Sequence, residues 1–228
     1  PAQLRYILLM GIVNFALPFS LLTWGLLQVP SAFAGVAMGS SPIFVLVLAY
    51  LFVPDETIGP RRIAGVALGF VGLLVLILPG SEGGGGNFLA RVACVAAALC
   101  YSIGAILIRR APPIPPMVFT AGMLVAATLA LLPLAAITEG LPEITPTRAT
   151  LALVYAGVVP TGLAFLLRVV LIRSAGPVFT SLVAYIVPLW AVVLGVALLD
   201  ETLRPNTYVA AIIILCGVGL TQLRLLKR

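Results

Sequence analysis

The sequence has no histidine, and only seven of its 228 residues are acidic. It therefore lacks the commonest metal ligand and the side chain that most readily exchanges a proton near neutral pH. Charged residues make up 9% of the chain, against about 25% in soluble domains. The three cysteines, Cys94, Cys100 and Cys216, fall inside apolar stretches and form no C-x-x-C pair. They read as small core residues, with a disulfide or a metal site as the alternative. No segment alternates polar and apolar residues as a barrel strand does. Lysine is nearly missing too, because every basic residue except Lys227 is arginine. Neither a cofactor nor a metal is expected.

What is present is apolar. Hydrophobic residues reach 62%, and the mean hydropathy is +1.22. A soluble fold of this size has too little interior to hide that surplus. The formal charge of +6 is carried in short loops and at the C-terminus, with no aromatic-basic face between, which argues against a nucleic-acid partner. A lipid bilayer is the partner the composition calls for. Crossing its hydrocarbon core takes about 20 apolar residues in a helix. Eight stretches qualify: Leu4–Leu27, Ser31–Val53, Arg61–Leu78, Phe88–Ile108, Met117–Ile137, Thr150–Ile172, Pro177–Leu199 and Tyr208–Leu223. The third and eighth are short and need snorkelling arginines at their ends, Arg61 and Arg62 on one and Arg224 on the other. Residues 81–87 form a glycine-rich linker, and Pro112–Pro116 forms a stiff extended elbow. The first stretch is too long for a signal peptide.

Orientation follows from where lysine and arginine fall. One side carries Arg5, Arg61, Arg62, Arg109, Arg110, Arg173, Arg224, Lys227 and Arg228, and the other carries only Arg91, Arg148 and Arg204. The richer side is expected to be cytoplasmic, with both ends of this chain and the basic tail 224–228 inside.

The chain also repeats itself. Pro42 precedes Asp55-Glu56-Thr57, and Pro188 precedes Asp200-Glu201-Thr202. The prolines are 146 residues apart (188 − 42) and the triplets 145 (200 − 55). Gly11 and Gly157 differ by 146, and Gly72 and Gly217 by 145. Five spans separate equivalent positions, and an odd number inverts the second copy. Inverted repeats with a broken helix in each half are the pattern of secondary transporters. The halves are unequal, with three spans at 1–80 and five at 88–223, so symmetry predicts two further spans before Pro1.

These residues resemble the EamA branch of the drug/metabolite transporter superfamily. The stretch from Pro188 through Asp200-Glu201-Thr202 looks like that family's fourth repeat helix. The stretch from Pro42 to Asp55-Glu56-Thr57 is similar, with one extra residue near Pro54. Gly65, Gly69 and Gly72, and Gly217 and Gly219, look like its fifth and tenth helices. The resemblance implies an all-α polytopic membrane protein, an inverted-repeat bundle of ten helices with eight visible here. It implies export of a small metabolite, such as an amino acid or a toxic compound, across a bacterial inner membrane.

Proline at mid-span frees the carbonyl four residues back, Met38 for Pro42 and Ala184 for Pro188. Such a carbonyl is tolerated only against protein or a wet cavity. The alternatives are a kink closed by a neighbouring hydroxyl and a kink that lines a cavity. Recurrence in both repeats favours the cavity, between Ser31–Val53 and Pro177–Leu199. Asn14, Ser41, Tyr101, Tyr155, Tyr185 and Trp190 are the candidate lining residues, with Pro42 and Pro188 as structural kinks. Arg168 is a candidate anion partner toward the cytoplasm, the alternative being an arginine that snorkels. Small residues at Ser31, Gly35 and Gly39, and at Gly65 and Gly69, point to close helix packing, with a homodimer face as the alternative. The rival functional reading is a membrane-embedded enzyme acting on a lipid-like substrate, which would need a nucleophile, base or metal ligands at one depth. A third is a non-functional fragment.

Overall fold

The computed structural model describes residues 2–52, 59–77, 88–138, 140, 148–180, 186–200 and 205–222. The described residues are helical apart from short connections, with no strand among them. A helix satisfies its backbone polar groups internally, which is what lipid demands. The order is α1 (Ala2–Gly11), a π-helical segment (Ile12–Ala16), α2 (Leu17–Leu26), α3 (Ser31–Met38), α4 (Ser41–Phe52), α5 (Pro60–Ile77), α6 (Phe88–Arg109) and α7 (Pro116–Thr138). Then come α8 (Arg148–Ala156), a second π-helical segment (Gly157–Leu163), α9 (Ala164–Ala175), α10 (Pro177–Thr180), α11 (Ile186–Leu199) and α12 (Pro205–Gln222). Helix thus occupies each of the eight apolar stretches. Five helical runs are long and apolar enough to cross a membrane: Gln3–Leu26, Ser31–Phe52, Phe88–Arg109, Pro116–Thr138 and Thr150–Ala175. The linker 81–87, both Asp-Glu-Thr triplets except Asp200, and the tail 224–228 lie outside the described residues.

The prolines explain the interruptions. Pro18 would meet the Asn14 carbonyl in a regular α-helix, and the chain widens into a π turn over Ile12–Ala16 instead. Pro160 lies inside the second π segment, and the carbonyl it frees, Ala156, accepts a hydrogen bond from the Thr161 hydroxyl at 2.8 Å. The first π segment is capped by Gly11 and the second begins at Gly157, so the two widenings are separated by the spacing of the sequence landmarks to within one residue. At Pro42 the freed carbonyl of Met38 accepts from the Ser41 hydroxyl at 2.7 Å, and Ser40 donates to Ala37 O at 2.6 Å. Gly176, with φ at 91°, makes the corner between α9 and α10, a conformation that costs glycine little. Asp200, with φ at 52°, follows the end of α11 in the left-handed position of a helix C-cap.

Helices α5 and α12 approach closely through their backbones. A Cβ on Gly217 would lie 2.6 Å from Gly69 N and 2.7 Å from Gly65 O, and a Cβ on Gly72 would lie 2.7 Å from Ile214 Cγ1. These contacts are reciprocal. Gly69 and Ile214 are 145 apart (214 − 69), as are Gly72 and Gly217 (217 − 72), so Gly72 on Ile214 is the image of Gly217 on Gly69. Reciprocal contacts of this kind are what a two-fold interface produces. Gly35 on α3 meets Ala191 on α11, where an added Cβ would be 2.0 Å from the alanine Cβ. The small residues at these positions therefore serve helix packing within the chain.

Two buried clusters result. One joins Met10, Phe15, Val45, Ile108, Phe119 and Ile172. The other joins Phe33, Val36, Ile43, Leu73, Cys94 and Ile214. The outer surface is also apolar, with Ile137, Leu151 and Leu153 all well over half exposed. Water would not tolerate that surface, whereas lipid tails do.

Candidate functional site

A cavity of about 410 Å³ opens between α4, α6, α9 and α10, beside the first buried cluster. Its wall is mostly apolar, with Met38, Val45, Ala105, Leu171 and Ile172 among the lining residues. Its polar groups are Ser41, Tyr101, Ser102, Arg168 and Thr180. An apolar hollow with a few placed polar groups is the usual form of a small-molecule site.

Each hydroxyl arrives by a local rule. Ser41 opens α4 and closes the carbonyl that Pro42 leaves free, so the kink closed by a hydroxyl and the kink that lines a cavity are the same residue pair. Ser102 donates to Ala98 O at 2.7 Å and lies 3.2 Å from Ser41 O, which ties α6 to the start of α4. Thr180 donates to Gly176 O at 2.8 Å. All three protons are directed back into the backbone, so toward the cavity these hydroxyls present lone pairs.

Arg168 supplies the opposite character. Its Nη2 donates to Tyr101 O at 3.0 Å, tying α9 to α6. Its guanidinium lies 5.3 Å from the Tyr101 ring centre and 5.4 Å from that of Phe165, within cation–π range. Among the described residues no carboxylate pairs with it.

Of the residues singled out from sequence, Ser41, Tyr101 and Arg168 line this cavity. Pro42 is buried directly behind Ser41. Asn14 is fully buried in the first π segment but is not part of the wall. Its Nδ2 donates to Met10 O at 3.3 Å, its Oδ1 has no partner, and it lies against Gly104 of α6. Tyr155 and Trp190 are 64% and 57% exposed, on the outer surface of α8 and α11. Tyr185 lies outside the described residues, and Pro188 falls within α11. The sequence reading passed over Ala105, Leu167, Leu171 and Ile172, because an apolar wall residue looks the same in sequence as an apolar lipid-facing one. Ser102 and Thr180 were legible as mid-span hydroxyls.

One end of the bundle gathers arginines. Arg109 Nη1 donates to Arg173 O at 2.5 Å, Arg173 donates to the Ile114 carbonyl, and its guanidinium lies 5.0 Å from the Phe119 ring centre. Tyr6 reaches Leu107 O at 2.6 Å, bringing the start of α1 to the same end.

The sequence profile of the EamA-like transporter family matches residues 1–78 and 88–223. Protein PecM of Dickeya dadantii (strain 3937) is 23% identical over 216 residues, 93% of this chain and 72% of that protein. The uncharacterized inner membrane transporter YedA of Escherichia coli (strain K12) is 27% identical over 199 residues, 86% of this chain and 63% of that protein. The chain thus spans less than two thirds of YedA's length. An uncharacterized transporter of Archaeoglobus fulgidus is 30% identical over 105 residues, 46% of this chain and 38% of that protein. A solved crystal structure superposes with a TM-score of 0.66, covering 97% of this chain and 78% of its own at 24% identity, and this likeness bears on the fold alone.

Proposed function

The chain belongs to the EamA-like transporter family and is a multi-pass membrane protein, and from that premise we propose that it moves a small metabolite through the 410 Å³ cavity by alternating access. The observation that carries this reading is the cavity itself. It is lined by the kinked start of α4 on one side and by α9 and α10 on the other, in a helix bundle with an otherwise lipid-compatible surface. The reciprocal α5–α12 contacts support an inverted repeat, and rocking of one repeat against the other around a fixed site is the expected motion. The membrane is a bacterial inner membrane and the direction is outward, with the arginine-rich end inside.

The enzyme reading has less support. Among the described residues no three His, Cys, Asp or Glu side chains come together, and the cavity wall offers hydroxyls, a phenol and a guanidinium without a base to activate them. The test is flux into sealed vesicles by the intact protein. Filling the hollow with Val45→Trp or Ala105→Leu is expected to stop flux while membrane abundance is kept. A cavity-filled variant that transports as well as the parent would place the pathway elsewhere. Lipid turnover by the purified protein without solute flux would favour the enzyme.

A further inference from the structure

We propose that the solute is an amphipathic carboxylate, held with its carboxylate on the guanidinium of Arg168 and its apolar body along Val45, Ala105, Leu171 and Ile172. This rests on the transport reading and sharpens it to a class of substrate and a residue that selects it.

The argument starts from charge. An arginine within a membrane span is costly and is normally paired or engaged with what passes through the protein. No apolar span of the sequence carries an acidic residue near its middle, and among the described residues no aspartate or glutamate pairs with Arg168. One of its donors is spent on Tyr101 O, and the two aromatic rings hold its plane. A guanidinium carries five N–H donors in a fixed fork, so others remain to meet a ligand in the cavity it lines. The tie to Tyr101 fixes the side chain in the wall and opposes snorkelling away to the interface.

The polarity of the wall then selects the ligand's end. Ser41 donates to Met38 O, Ser102 to Ala98 O and Thr180 to Gly176 O, and all three show lone pairs to the hollow. Lone pairs repel an anion, so a negative group is directed to Arg168 and away from the serine side. The Tyr101 hydroxyl, which makes no hydrogen bond among the described residues, is the other available donor on the wall. One guanidinium and one phenol match a carboxylate, which accepts a bidentate pair. They fall short of a dianionic phosphate, which needs more donors than this wall has. The remaining wall is hydrocarbon, and a cavity of this size takes a body about as large as a phenylpropyl or branched aliphatic group.

The experiment uses the intact protein in detergent and in sealed vesicles, with 3-phenylpropanoate and its carboxamide as probes. The two differ only in the charged end. Titration calorimetry is expected to show binding of the acid and not of the amide. Arg168→Gln is expected to lower acid affinity by about ten- to a hundredfold, the range for a lost hydrogen bond to a charged group. Arg168→Lys keeps the charge without the fork and should fall between. Should the Arg168 variants not fold, the comparison of acid with amide on the parent protein still decides. Equal binding of acid and amide, or undiminished acid binding by a folded Arg168→Gln protein, overturns the carboxylate assignment, as does failure of the folded parent to bind the acid. Selective binding of the acid with no flux of it above that of protein-free vesicles upholds the site and overturns the transport reading instead.

Discussion

The contact between Asn14 and Gly104 can be tested by adding one methyl group. Gly104 of α6 leaves room for the Asn14 side chain, and a Cβ there would be 2.1 Å from Oδ1, 2.6 Å from Cγ and 2.7 Å from Nδ2. Ordinary contact begins at 3.4 Å, so Gly104→Ala overlaps the amide by 1.3 Å (3.4 − 2.1). Asn14 is fully buried, so either its rotamer or the separation between the first span and α6 must change. Over-packing of this kind costs about 1–3 kcal/mol. For a chain of this length each kcal/mol lowers the melting temperature by about 2–4 °C, so a fall of about 2–12 °C is expected. Asn14→Ala should cost little, because it also removes a buried Oδ1 that has no partner. The informative protein is the double variant. With the amide gone, the Gly104 methyl fills the space it left, and the pair should recover most of the loss, a coupling of about 0.5–3 kcal/mol. Thermal unfolding in mild detergent, followed by tryptophan fluorescence, reads all four proteins. If Gly104→Ala melts with the parent, or if the two losses simply add, the amide is not seated against Gly104 and the account of this contact is wrong.

Other expectations follow from the same structure. Gly217→Leu should lower the melting temperature by more than Gly104→Ala, because the atoms it meets are backbone of Gly65 and Gly69, whereas Gly219→Leu, with nothing within 4 Å, should change it little; equal losses would refute the α5–α12 seam. A reporter fused after Arg228 should be cytoplasmic and a cysteine near Glu82 should label from outside; labelling of that position only in broken cells would reverse the orientation. No visible span holds an acidic residue near its middle, so neutralising Glu56 or Glu201 should leave flux unchanged, and loss of proton-coupled flux in a folded variant would show these acids to be the coupling groups. Trp190→Ala, at a position exposed on the outside of α11, should leave flux within about twofold, whereas Val45→Trp abolishes it; equal impairment would move the site.

Apolar helix was readable because lipid imposes a length and a composition; helix lies in every stretch those two rules picked out, and five helical runs are long and apolar enough to cross a membrane. The repeat spacing was readable through landmarks such as Pro42 and Pro188, and the reciprocal contacts of Gly72 and Gly217 keep the same spacing. Rotation of each helix about its axis was much less readable. In a soluble protein the buried face is apolar and the outer face polar, so periodicity tells which way a residue points. In lipid both faces are apolar, and that signal is lost. Tyr155 and Trp190 have the depth expected of cavity residues, yet both are on the outer surface, while Leu171 and Ile172 line the hollow without any polar mark. Tyr101 and Arg168 were legible because a charge or phenol in hydrocarbon must have a reason for being there. The π segments at Ile12–Ala16 and Gly157–Leu163 answer the local clash of Pro18 and Pro160, whose effect the sequence marks without saying whether the helix bends, breaks or widens.

The glycine seam between α5 and α12 has a mechanical consequence. Gly65, Gly69 and Gly217 have no side chains to interdigitate, so at these three positions the helices meet without freezing rotamers, while the Ile214 side chain packs on Gly72. What holds them is close backbone contact, and dispersion falls so steeply with distance that a gap of about 0.5–1 Å forfeits a quarter to a half of it. The seam gives up much of its hold over less than about an ångström, where a side-chain-filled interface could follow the separation by changing rotamers.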